Sequence, residues 1–307
     1  MTKAIATSHD IGHSPFGHKG EKILCEISKK DLGHSFWHEK NGLKIADNIE
    51  LLVNYNSDLE NMNLTYAVRD GIISHCGEVD ENGLKPRNDF LNLDDYSYPN
   101  QYAPYTWEGC VVKVSDKISY IMRDIEDAVD LHILDDQYLD ELYTLLNFDK
   151  NKKINNSSII TALVSDICSN SSPEKGLTLS ENNLNMLNSI KKFNYQHIYN
   201  NKQVKYSEKY FNLVINQIYE FLKDCYDSNN TLEKFNKVYD FSPMLVQSFI
   251  NWIEKYWNLT DRKQTNLKNK IVFNMDNEKD YYQAIIYFIS GMTDNFAINC
   301  YNDIIGF

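Results

Sequence analysis

The most constraining stretch of this 307-residue chain runs from about residue 107 to 132. There Val111, Val112, Val114, Ile118, Ile121, Met122, Ile125, Ala128 and Val129 recur every three or four residues, the period of one helix face. A strand cannot use so long a stripe, because its successive side chains point to opposite sides. The same period returns at about 208–226 (Phe211, Val214, Ile215, Ile218, Leu222) and at about 278–305 (Ile285, Ile286, Ile289, Met292, Phe296, Cys300). Only 12 glycines and 6 prolines serve the whole chain, about half their ordinary share, too few turn-formers for a many-stranded sandwich or propeller. The spacing therefore predicts an all-α protein, a single large helical domain with a long loop at about 80–105 that holds Pro86, Pro99 and Pro104. A second break falls at 169–176. We expect a core over 1–140 and a C-terminal helical region over 141–307 packed on it.

The net charge of −12 excludes a generally basic surface, so no sequence-specific nucleic-acid binding is expected. No apolar run approaches the roughly 18 residues of a membrane span, and the first nine residues lack the apolar core of a signal peptide. The six cysteines are widely spaced, without a CxxC pair, and read as reduced core thiols. The expected location is the cytoplasm.

Chemistry concentrates near the N-terminus. Five of the eight histidines (His9, His13, His18, His34, His38) fall between residues 9 and 38, where even scatter would put about one. Histidine is the commonest metal ligand and the side chain best suited to proton transfer near neutral pH. A lone His-Asp pair is expected about once by chance in this composition. The string HDIGHSPFGHKGE, His9 to Glu21, is far more specific. Pro15 and the glycines predict a turn after a buried helix over Ala4, Ile5 and Ala6, with a new helix from Gly17. On that helix His18 and Glu21 stand three residues apart on one face, so the carboxylate can orient the imidazole.

This string resembles the signature of the HD-domain deoxynucleoside triphosphate triphosphohydrolases, the dGTPase-like proteins. Four later segments are similar to that family in the same order. They are Phe36-Trp37-His38-Glu39, Asn63 to His75 (NLTYAVRDGIISH), Val114 to Tyr120 with Asp124 to Asp127, and Ile289 to Ala297 (ISGMTDNFA). The resemblance implies an HD-domain helical fold and a divalent metal ion (Mn, Mg, Fe or Zn) held by His9, Asp10 and Asp116. It implies that water attacks the α-phosphorus of a deoxynucleoside triphosphate, releasing a deoxynucleoside and triphosphate, with His18 as proton donor and Glu21 holding its ring. His13, His38 and Lys117 would meet phosphate oxygens, Tyr120 would lie under the deoxyribose, and Asp124 near its 3′-hydroxyl. A homo-oligomer is the implied assembly.

Residue patterns alone leave Asp127 and Asp130 as a solvated face, and His34 and His75 as structural or solvent-facing. They do not choose among Arg69, Arg87, Arg123 and Arg262 as phosphate partners. Family members also carry a metal-binding histidine in an R-x-x-H-S-type segment upstream of the His-Asp pair, and only eight residues precede His9 here. The expectation is a chain N-terminally truncated relative to the family, with metal affinity reduced by at least about 10–100-fold. Two alternatives stand beside the triphosphohydrolase: another HD phosphohydrolase (a nucleotidase or phosphodiesterase), and a non-catalytic HD subunit that binds nucleotide.

Overall fold

The computed structural model describes residues 1–76, 82–146, 156–258 and 266–306. Arg262 and residues 80–81 of the expected loop lie outside them. In chain order the elements are α1 (Thr2–Ser8), α2 (Gly17–Asp31), α3 (His38–Lys44), β1 (Leu51–Val53), β2 (Leu59–Asn61), α4 (Tyr66–Ile73), α5 (Trp107–Asp130), α6 (Asp136–Leu145), α7 (Asn156–Asn170), α8 (Glu181–Asn194), α9 (Lys202–Asp224), α10 (Thr231–Val238), α11 (Pro243–Ile253), α12 (Glu278–Ser290) and α13 (Asp294–Ile305). The fold is helical. The two strands form a short antiparallel hairpin with Leu52 opposite Glu60. No described helix is long and apolar enough to cross a membrane.

The chain forms two compact units, Met1–Ala6 with Ile73–Glu208, and Thr7–Ile72 with Lys209–Phe307. The boundaries between the units fall within α1, α4 and α9.

The first unit is organised by α5, about 36 Å long at 1.5 Å per residue. Its start is fixed by Thr106, whose Oγ1 accepts the Gly109 N–H at 3.1 Å, a side-chain cap for an otherwise unpaired donor. Most of the predicted stripe is buried: Ile118, Ile121, Met122, Ile125 and Ala128 pack with Leu142, Leu163, Ile190 and Phe193, while Val114 and Val129 are half-buried and Val111 is exposed. Helices α7 and α8 lie against α5, and α6 against α8. Buried Asn194 donates its side-chain N–H to the Ile121 carbonyl at 2.8 Å, so that donor is paired within the core. The described part of the long loop is tied down by an antiparallel bridge between Leu84 and Leu177 and by Arg87, which donates to the Ala103 carbonyl at 2.7 Å.

The second unit buries Ile218, Leu222, Phe249, Ile285 and Ile289 completely, worth about 1.5–3 kcal/mol for each side chain. Helix α2 packs on α12, and α11 on α12 and α13. Its buried tyrosines keep their hydroxyls bonded: Tyr281 donates to the Leu222 carbonyl at 2.6 Å, Tyr256 to that of Ile49 at 2.8 Å, and Tyr219 to Asp31 at 2.8 Å.

Two sequence readings need correction. The stretch 278–305 is two helices, because Gly291 ends α12 and Thr293 starts α13 by accepting the Phe296 N–H on its hydroxyl at 3.2 Å. Helix α9 begins at Lys202, six residues before the expected start. Among the cysteines, Cys76, Cys110, Cys225 and Cys300 are buried, Cys25 is half-buried, and Cys168 is exposed.

Candidate active site

Helix α1 ends at Ser8 and delivers His9 and Asp10 into a turn. Of its apolar lead-in only Ile5 is buried, since on a helix Ala4 and Ala6 face away from it. Gly12 decides how closely this turn approaches α3. A Cβ at Gly12 would stand 2.0 Å from the His38 carbonyl oxygen and 2.2 Å from the Gly42 nitrogen, so no other residue fits. Asn41 holds the same junction, donating to the Gly12 carbonyl at 2.9 Å and to the Ser290 hydroxyl at 3.0 Å. Gly20 likewise lets α2 meet the turn, where a Cβ would lie 1.9 Å from the Pro15 carbonyl oxygen.

Phe16 enters α2 in the left-handed region (φ 66°), which costs a non-glycine residue about 1 kcal/mol or more. Two contacts hold it there. Its N–H donates to Asp294 Oδ1 at 2.8 Å, and its ring stacks on Phe211 with centroids 4.2 Å apart. The turn therefore depends on the C-terminal helix α13 as well as on the signature string.

Four side chains of the second unit converge. Glu21 Oε2 lies 3.1 Å from His18 Nδ1 and 3.1 Å from His38 Nδ1, while its Oε1 accepts the His38 backbone N–H at 3.0 Å. His13 stacks on His38 with centroids 3.9 Å apart and meets His18 edge-on. Burial alone would raise the Glu21 pKa, but the hydrogen bonds from His18 and His38 overcome it and hold the carboxyl well below the usual range. Burial alone would lower His38, yet its bond to Glu21 and the charges of Glu39 and Glu21 raise it above the ordinary histidine value. Glu21 is thus an ionised acceptor shared by two imidazoles, each meeting it through Nδ1. His18 is 64% exposed at its side chain, so its ring is within reach of a solute.

Asp10 is half-exposed. His9 Nε2 lies 3.1 Å from its Oδ2 and His13 Nε2 lies 3.3 Å from its Oδ1. Two imidazoles beside one carboxylate form a nitrogen and oxygen donor set that fits a divalent cation of borderline hardness, and His13, His18, Glu21 and His38 form a further group with donors close enough for an ion.

The remaining expected residues lie in the first unit, on α5. Asp116, Tyr120 and Asp124 are half-buried and Lys117 is buried. Lys113 and Lys117 line a small apolar cavity of about 30 Å³ with Leu84, Ile118 and Leu179. Asp124 accepts the hydroxyl proton of Tyr199, a partner the sequence did not suggest. Asp127 and Asp130 are exposed, as a solvated face requires.

The chain matches the HD domain model over residues 1–121. It is 30% identical to a deoxyguanosinetriphosphate triphosphohydrolase-like protein of Rickettsia typhi, in an alignment covering 99% of this chain and 76% of the relative. A protein of the same name from Rickettsia prowazekii is 29% identical over the same shares. One from Caldanaerobacter subterraneus is 29% identical over 74% of this chain and 56% of its own length. The chain belongs to the HD-domain, dGTPase-like family.

Within this family member, sequence reasoning missed several residues around the site. Glu39 is fully buried, lies 3.4 Å from His38 Nδ1, and neither of its oxygens accepts a hydrogen bond among the described residues. It directly follows His38 in the sequence, which was the available signal. His75 is 1% exposed, so the solvent-facing reading fails. Arg69 is committed to Asp47 by two bonds of 2.6 and 2.7 Å, and Arg123 pairs with Glu126 and Asp127 along its own helix. His34 is exposed and bonds Ser28, in keeping with a structural role.

Proposed function

We propose that this HD-type phosphohydrolase is a deoxynucleoside triphosphate triphosphohydrolase, cleaving between the α-phosphorus and the 5′-oxygen. The observation that carries this reading is the shared carboxylate: Glu21 accepts from both His18 and His38. A general acid needs a ring fixed in one tautomer, oriented, and able to hold a proton at working pH. Glu21 supports all three for His18, since an ionised acceptor at Nδ1 stabilises the protonated ring and directs Nε2 outward.

In the proposed reaction a water oxygen bonds to the α-phosphorus, the bond from phosphorus to O5′ breaks, and O5′ leaves with the proton from His18. The proton lost by the water passes to solvent, and the products are a deoxynucleoside and inorganic triphosphate. His13 and His38 bind phosphate oxygens, with His38 the better suited because its proton is retained above the ordinary histidine range. Lys117 adds a phosphate contact, Tyr120 fills the space a 2′-hydroxyl would need, and Asp124 takes the 3′-hydroxyl. His9, Asp10 and Asp116 would hold a divalent ion (Mn, Mg, Fe or Zn). When bound, such an ion supplies positive charge at the phosphate and acidifies the attacking water.

The same reading makes the protein a cytoplasmic homo-oligomer, which sedimentation of the purified chain tests. The activity is tested by incubating it with manganese and each dNTP or rNTP, separating triphosphate, pyrophosphate and orthophosphate. Triphosphate from dNTPs, with little turnover of rNTPs, is expected. Orthophosphate as the sole phosphate product would contradict attack at the α-phosphorus.

A further inference from the structure

We infer that His75 is a metal ligand alongside Asp116, an inference that rests on the proposed role of Asp116. Nothing in the signature string points to this residue. It stands two positions past the end of α4, and no residue spacing marks it as catalytic. The fold of the first unit gives it one: a ring nitrogen of His75 and a carboxylate oxygen of Asp116 lie within 4.8 Å of each other. Donors at about 2.0–2.2 Å from a shared ion stand about 3–4 Å apart, so the pair is at or within a small side-chain rotation of bridging one.

Burial strengthens the argument. His75 is 1% exposed, and Ser74 just before it is fully buried. A buried imidazole is a well-oriented donor, and a ligand whose rotamer is locked by packing loses little entropy when the ion binds. Asp116 is half-buried, and one oxygen ligand beside one nitrogen ligand suits the same borderline divalent ions as His9 with Asp10. The inference adds a second imidazole to the proposed set, making it two histidines and two aspartates.

The experiment is calorimetric titration of the full chain with Mn²⁺, together with pulsed electron paramagnetic resonance that counts imidazole nitrogens on the bound ion. His75→Gln, Asp116→Asn and His9→Gln are compared with the unaltered chain. His75→Gln is expected to weaken Mn²⁺ binding by about 10-fold or more and to remove one imidazole coupling, while melting in chelator stays close to that of the parent. If His75→Gln does not fold, the His9→Gln protein decides: one imidazole coupling must remain on the ion, and none would overturn the inference. A folded His75→Gln protein with unchanged nitrogen couplings and Mn²⁺ affinity within about twofold, far inside the loss expected for a ligand, also overturns it. Loss of affinity in Asp116→Asn but not in His75→Gln refutes this inference alone. Unchanged affinity in Asp116→Asn refutes the ligand role of Asp116 and, with it, this inference.

Discussion

Replacing Glu21 with Gln tests the shared carboxylate with the least change in shape. Glu21 accepts three hydrogen bonds, from His18 Nδ1, His38 Nδ1 and the His38 backbone, all at 3.0–3.1 Å. Bonds to a charged acceptor contribute about 1.5–3 kcal/mol each, against about 0.5–1.5 for neutral ones, so neutralisation removes about 1 kcal/mol per bond. The Glu21 side chain is 16% exposed and that of His38 9%, so solvent screens their bonds little, whereas the bond to His18, 64% exposed, is screened more. The glutamine NH₂ must also face one of the two ring nitrogens that formerly met an acceptor. The expected stability loss is about 3 kcal/mol in urea unfolding, and turnover should fall about 10–100-fold, as for partners that orient a catalytic imidazole. His18→Ala should cost about 10²–10⁴-fold, the range of a lost general acid. The double variant separates the roles: if Glu21 acts on catalysis through His18, its rate should equal that of His18→Ala within about threefold, since residues acting as one unit are not additive. Losses that simply multiply, or an active Glu21→Gln protein, would refute the reasoning.

Three other outcomes follow from the same geometry. His38 should titrate in nuclear magnetic resonance above the ordinary value of 6.5 and fall towards or below it in Glu21→Gln; because the folded value is raised, its stabilising share is complete below about 6.5 and disappears as pH rises through the folded value. Asp31 accepts from Lys223 at 2.7 Å and Tyr219 at 2.8 Å, which overcome the effect of burial and lower its pKa. Asp31→Asn should therefore lose about 1–3 kcal/mol at neutral pH, and its unfolding curve should converge with the parent's as pH drops below 3.8 through the folded value. Gly12→Ala forces a methyl group into the His38 carbonyl and the Gly42 nitrogen; backbone cannot yield as a side chain does, so a loss of about 3 kcal/mol or more is expected, read as a lower melting temperature.

Much of the helical architecture was legible because a buried helix face leaves a linear period, and α5 from Trp107 to Asp130 matches its stripe closely. The break at 291–293 was not, since one glycine and a threonine cap weigh little against six apolar residues in phase. The His18–Glu21 pair was readable because both residues sit on one turn of α2. The second acceptor relationship, Glu21 with His38, spans 17 residues and depends on Gly12 allowing α3 to approach, which no local pattern encodes. Asp294 supporting Phe16 across 278 residues is the same kind of feature. Tyr199 on Asp124 and His75 near Asp116 escaped notice for a related reason: each is joined to its partner by tertiary packing rather than by spacing.

Hydrolysis of a dNTP in ¹⁸O-labelled water, with manganese present and products resolved by mass spectrometry, probes the central claim directly. Attack at the α-phosphorus puts one ¹⁸O in the released triphosphate and none in the deoxynucleoside. Label in the deoxynucleoside, or label found in orthophosphate or pyrophosphate with no triphosphate formed, would contradict it.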